Sequence, residues 1–338
     1  MSRHDMAIDG AIREQVVEKL AQLLETYYVV PEVGSALARH LRDRRQSGAY
    51  DAIASAAGLC DAITAELRRQ GRDRHLALRF TPERRRIYAD ADVFANVDRF
   101  EELRQEAAFR NFGIERIERL AGNVGYLDLR ALYEPRIAGE KLAAALGLLA
   151  DVSAVILDLR ENPGGHPHAV ALVCSYFLGP GPVHLNSFYN RAAGRTEQFW
   201  TLSYVPGRRY LEGPVYVLVS RRTGSAAEEL AYNLQQLQRA TVVGRATFGA
   251  AQAGVYYQID QHFEAFISTA RAVNPISGTN WEGTGVKPDI EVPPELALQS
   301  AQALALEAIV TRLGLPVSRS QRALLQEAQQ ALAELRES

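Results

Sequence analysis

Residues 215–237, VYVLVSRRTGSAAEELAYNLQQL, decide the fold. Val215 to Val219 form an unbroken apolar run, the mark of a strand covered on both faces. The chain turns through Thr223 and Gly224. From Ser225 onward, small and apolar residues recur at helical spacing. Strand, tight turn and helix in this order form one half of a parallel α/β unit. Ser225-Ala-Ala-Glu228 fits a capping box, in which the serine accepts from a backbone N–H and the glutamate reaches back. The same serine also stands at the positive end of a helix dipole, where a nucleophile is well served. Composition favours the cap, because capping serines are common.

The same alternation extends on both sides. VGYLDLRAL (124–132), a helix over 137–149, VSAVILDL (152–159), a helix over 167–178, the strand at 215–219, a helix over 225–238 and TVVGR (241–245) follow in turn. The expected fold class is α/β. Residues 11–70 predict three short amphipathic helices. The first stops at Pro31, the second covers Val33 to Arg45, and the third is capped by Asp51 and runs to Gln70. HLALRF (75–80) reads as a strand and 97–110 as a helix. Gly244 to Pro288 is strand and loop, and two helices near 294–313 and 318–336 close the chain. The expected division is a helical bundle over 1–74, an α/β core over 75–295 and C-terminal helices over 296–338.

Composition narrows the function classes. The 338 residues carry 38 basic and 40 acidic side chains, a net charge of −2, which gives no electrostatic reason to expect a nucleic-acid partner. The basic stretch Arg72 to Arg86 reads as a solvated face. Cys60 and Cys174 sit in apolar helical patterns and are expected to be packed thiols, not a disulfide. No run approaches the roughly 20 apolar residues of a membrane span, and MSRHDMAIDGAIREQ has no signal-peptide core. The expected location is the cytoplasm. No motif calls for a cofactor.

A second strand-to-helix turn lies in VILDLRENPGGHP (155–167). Adjacent Gly164 and Gly165 permit positive φ and let backbone N–H groups face a ligand; an ordinary tight turn explains them equally well. In a parallel sheet this turn and the one at Ser225 open at the same edge. Together they could supply a nucleophile and two N–H donors, from Ala226 and a glycine of the pair, to the oxyanion of an acyl-transfer reaction.

DLRENPGG, GPVYVLVSRRTGSAAEELAY, RATVVGRATFG and NWEGTGVKPDIEV closely resemble the carboxyl-terminal-processing (tail-specific) serine peptidases, in the branch with tricorn protease and interphotoreceptor retinoid-binding protein. YYVVPEVG, GAYDAI and DRHLALRF resemble that branch's helical N-terminal region. The resemblance implies a crotonase/Clp-protease-like core, a nucleophile at Ser225, an oxyanion hole from Gly164, Gly165 and Ala226, and proteolysis of a peptide or protein substrate. Two departures stand out. Where the processing peptidases carry a lysine base, TFGAAQAG places Ala250, which removes a Ser–Lys mechanism. Between Phe80 and Gly122 only about forty residues remain, too few for the peptide-binding PDZ insertion.

A base must then come from a histidine. His4 and His40 lie in a tail and a surface helix, and His184 and His262 lack a supporting motif. The resemblance carries the role to His75 in DRHL, although Arg74 replaces the serine found beside that histidine in tricorn-like sites. His166 and His168 are the runner-up bases; as a metal pair they lack further ligand spacing. The resemblance also places Glu282 in the catalytic network as the acceptor that orients the base. Asp158 and Arg160 are expected to brace the glycine loop, and Glu228 and Glu229 to serve as capping and surface residues. The rival reading is an unreactive protein on the same fold that holds an apolar ligand such as a retinoid or lipid.

Overall fold

The structure, a computed structural model, describes residues 5–83 and 97–337. His4 and the Arg84–Arg86 part of the basic stretch lie outside them. In chain order the elements are α1 (Gly10–Tyr27), α2 (Pro31–Gln46), α3 (Ala56–Gly71), β1 (Ala77–Phe80), α4 (Val97–Phe109), β2 (Ile114–Leu120), β3 (Val124–Leu129), α5 (Pro135–Leu148), β4 (Ala154–Asp158), α6 (Pro167–Phe177), β5 (His184–Asn190), β6 (Arg195–Trp200), β7 (Val215–Val219), α7 (Ala226–Gln236), β8 (Thr241–Gly244), β9 (Ala253–Gln258), β10 (Phe263–Val273), β11 (Ile290–Glu291), α8 (Ala297–Leu313) and α9 (Arg319–Glu337). They form two compact units.

One unit joins α1–α3 and β1 with Ser187–Glu197 and Ala250–Val273. Pro31 takes the first position of α2, where its missing N–H costs nothing. The cap of α3 is Ser55, whose oxygen accepts from Gly58 N–H at 3.1 Å, and not Asp51. Gly48, at φ 74°, turns the chain ahead of it. Antiparallel β1, β9 and the Ser187–Asn190 part of β5 pair with β10. Leu76, Leu78, Phe263, Ala265 and Ile267 alternate onto one face and bury Val16, Leu20, Leu24, Leu59 and Ile63 of the helices.

The other unit runs from α4 to Asn186, through Gln198–Gly249, and from Asn274 onward. Its six-stranded sheet has the order β11-β8-β7-β4-β3-β2, parallel except for β2 against β3. Every position of β3, β4 and β7 is buried, as their continuous apolar runs require. Tyr126, Ile156, Leu218 and Val243 face α8, where Ala297, Ala301 and Ala305 let the helix lie close. Parallel order with a helix after each strand brings the ends of β4 and β7 to one edge.

Candidate active site

The turns after β4 and β7 are laced together. Ser220 Oγ donates to Arg160 O at 2.6 Å, Thr223 Oγ1 to Leu159 O at 2.7 Å, and Gly224 N–H to Asn162 O at 3.0 Å. Ser225 follows with φ 52° and ψ −122°. This is left-handed backbone that a residue with a Cβ adopts at a cost of roughly 1–3 kcal/mol, whereas an ordinary N-cap is extended. The bond that holds the conformation runs from Ser225 N–H to Glu228 Oε2, at 2.8 Å. Ser225 is half-buried while its neighbours Gly224 and Ala226 are buried.

The glycine loop lies directly against this serine. A Cβ on Gly164 would stand 2.7 Å from Ser225 Cβ and 3.0 Å from Ala226 N, and the φ of Gly164 is +117°. Gly165, at φ +149°, passes so close to Leu132 that a Cβ would meet its carbonyl oxygen. Asn162, fully buried, sets the loop: its Oδ1 accepts from Gly164 N–H at 2.8 Å and its Nδ2 donates to Leu129 O at 2.8 Å. Gly164 N–H is thereby engaged. Among the described residues, Gly165 N–H and Ala226 N–H have no hydrogen-bond acceptor.

Glu228 is more than a cap. Fully buried, it accepts at Oε1 from Thr247 Oγ1 and from Gly249 N–H, both at 2.5 Å, while Oε2 holds Ser225. Gly249 O in turn accepts from Gly283 N–H at 2.9 Å. One carboxylate therefore ties the Ser225 turn to the loop of Glu282. Glu282 itself is half-buried, with its N–H on Asn280 Oδ1 at 2.9 Å, beside buried Trp281.

Glu229 corrects the surface expectation. It is 3% exposed, and burial pushes its carboxyl up to about 8, against the pull of the facing amides of Asn186 and Asn233. The thiol of Cys174 is buried on the same side and is also pushed up by burial. Both cysteines are free and buried.

His75 belongs to the other unit. Its ring is half-buried and stacks on Phe266, with centroids 5.2 Å apart. Burial lowers its pKa, and the nearby Asp73 carboxylate opposes that shift. Fully buried Asp73, which is not among the expected site residues, accepts His75 N–H at Oδ1 (2.9 Å) and the Tyr28 hydroxyl at Oδ2 (3.1 Å). A carboxylate two residues before a histidine was the available signal.

His166 caps α6, with Nδ1 accepting from His168 N–H at 3.3 Å, and burial beside His168 pushes it down to about 4. Asp158 accepts from Arg160 and from the Tyr126 hydroxyl at the end of β4, so this pair braces the loop end. Ala250 is buried.

Residues 123–292 match peptidase family S41, and residues 10–110 match the N-terminal domain of that family in eukaryotic IRBP. A carboxy-terminal-processing protease of Bartonella bacilliformis is 28% identical over 53% of this chain and 41% of its own length. A carboxyl-terminal-processing protease of Synechocystis is 31% identical over 45% of this chain and 34% of its own length. The chain thus spans about two-fifths or less of these relatives. A solved structure from Parabacteroides merdae superposes with a TM-score of 0.58 at 17% identity, over 87% of this chain and 96% of that one, a likeness of fold. With half of its length matched by the family and its N-terminal helices matched as well, the chain belongs to peptidase family S41.

Proposed function

We propose that the chain is a serine-type peptidase acting on peptide or protein substrates. The Ser225 hydroxyl attacks the scissile carbonyl carbon and gives its proton to the His75 imidazole. The tetrahedral oxyanion is held by the N–H groups of Ala226 and Gly165. Collapse expels the amine, which takes the proton back from His75. Water then repeats the sequence on the acyl-enzyme. Gly164, whose N–H is engaged by Asn162, contributes the close approach that only a residue without a Cβ allows. Glu282 orients the imidazole, and Asp73 supports it from within its own unit.

The single observation that carries this reading is the left-handed backbone of Ser225 at a strand-to-helix turn. A capping serine gains nothing from that strain, whereas a nucleophile presented at a sharp turn does. The names of the relatives, proteases that process carboxyl termini, support the substrate class. Hydrolysis of unstructured protein by the purified chain tests the proposal. Cleavage should fall at least about a thousandfold in Ser225→Ala and His75→Ala. Equal cleavage by the parent and Ser225→Ala rejects it, as does an inert parent that retains a co-purified apolar ligand.

A further inference from the structure

A cavity of about 410 Å³ opens beside Gly164 and Gly165, with Arg110, Arg130 and Tyr133 on its walls. It shares Arg130 and Glu161 with a larger cavity of about 630 Å³ at the carboxyl ends of β3, β4 and β7. The larger one adds Arg160, Arg221, Arg222 and Arg245. The groove made by these two adjoining cavities has six arginines and four carboxylates on its walls, the latter from Asp128, Asp158, Glu161 and Glu295, while Glu106, Glu115 and Glu291 lie beside Arg110, Arg130 and Arg245.

The pairing of these arginines decides what the groove can hold. Arg160 is committed to Asp158 and to Pro294 O, and Arg130 to Asp128 at 2.9 Å, with Glu115 at 3.7 Å. Arg222 meets Glu161 at 2.6 Å and Arg245 meets Glu291 at 3.4 Å, but the arginine side chains of both pairs are about half or more exposed. Such pairs contribute little and exchange readily for a better-placed anion. Arg110 reaches Glu106 only at 3.9 Å. Arg221 is exposed and has neither an ion pair nor a hydrogen bond among the described residues. Guanidinium groups present donors in a fork that matches a carboxylate.

We propose that this groove binds carboxylate groups of the substrate, so that the chain prefers acidic peptides. The proposal rests on the peptidase reading and names the substrate class of that site. The carboxylate is that of an acidic side chain, and capture of a chain terminus is a separate outcome of the test.

The test uses Ser225→Ala protein, in which binding is separated from cleavage, and short alanine–glycine peptides carrying a neutral dye. One arm compares Glu with Gln at each position in turn, all amidated. A second arm compares a free C-terminal carboxylate with its amide. Fluorescence anisotropy should show about tenfold tighter binding of Glu over Gln at one position or more in the first arm. A preference confined to the second arm overturns the proposal, because it reports a chain terminus and not an acidic side chain. The preference should shrink to near unity in Arg110→Gln/Arg221→Gln, two exposed side chains whose replacement leaves the melting temperature unchanged. Equal affinities in the first arm overturn the proposal, as does a preference that survives the double substitution. A parent protein that binds acidic peptides selectively but cleaves none would sink the peptidase reading and leave the groove standing.

Discussion

Ser225 is held in a conformation its side chain disfavours, and the groups around it explain why the strain persists. Glu228 grips its N–H, and Gly164 leaves no Cβ to push it away. Gly164→Ala should therefore act on chemistry before it acts on folding. The new methyl would sit 2.7 Å from Ser225 Cβ, and kcat should fall by about a hundredfold or more, the scale of losing an oxyanion donor. Steady-state kinetics beside a thermal melt checks this. A second expectation concerns Asp73. Burial lowers the His75 pKa and the Asp73 charge resists it. Removing that charge in Asp73→Asn should lower the imidazole pKa further. The acidic limb of kcat/KM should then move to lower pH while the plateau drops, because the base is weaker. NMR titration of the His75 ring reads the same shift without relying on turnover.

At the scale of elements, α7 is the organiser. Its first turn meets the β7 edge through Ser225 and the 247–249 loop through Glu228, and the helix packs against α6. Glu228→Gln keeps the shape but leaves one acceptor where two oxygens served three donors. We expect kcat to fall about ten- to hundredfold with little change in KM, and stability to fall by about 1–3 kcal/mol. Kinetics combined with urea unfolding separates the two. Much of this element was legible in the sequence: an apolar run, a Thr-Gly turn and a small-residue helix point to a buried strand and the helix after it. The clamp was not, because capping boxes are read locally while Thr247 and Gly249 are some twenty positions away. Glu229 departs from expectation because a charged residue beside a helix cap normally faces water. The helix instead turns 226, 229, 230 and 233 inward together. The cap of α3 shifted from Asp51 to Ser55 because the chain makes another turn at Gly48–Asp51 first.

For the whole molecule, the two compact units cut across the sequential division into bundle, core and tail. Ala250–Val273 and Ser187–Glu197 join the N-terminal helices through sheet pairing. Such long-range pairing leaves no local mark, so helices and strands were foreseeable and their partnership was not. The buried acid Glu229 gives global stability a pH dependence. Its folded pKa, about 8, lies above the value near 4.5 of a free glutamate. Below 4.5 both states are protonated and burial of the neutral acid costs no ionisation penalty. Between those values the unfolded chain sheds a proton that the folded protein keeps, so stability declines as pH rises, and the decline stops once the folded acid ionises. Glu229→Gln should flatten that decline and stabilise the protein at pH 7 by an amount on the order of 1–3 kcal/mol. Chemical unfolding at pH 5 and pH 7 for both proteins measures it.

The most direct measurement is reaction of the purified chain with a fluorophosphonate, read by intact mass and peptide mapping. The account predicts a single adduct on the peptide that contains Ser225, absent in Ser225→Ala and slowed in His75→Ala. An adduct on another residue, or equal labelling of parent and Ser225→Ala, would contradict it.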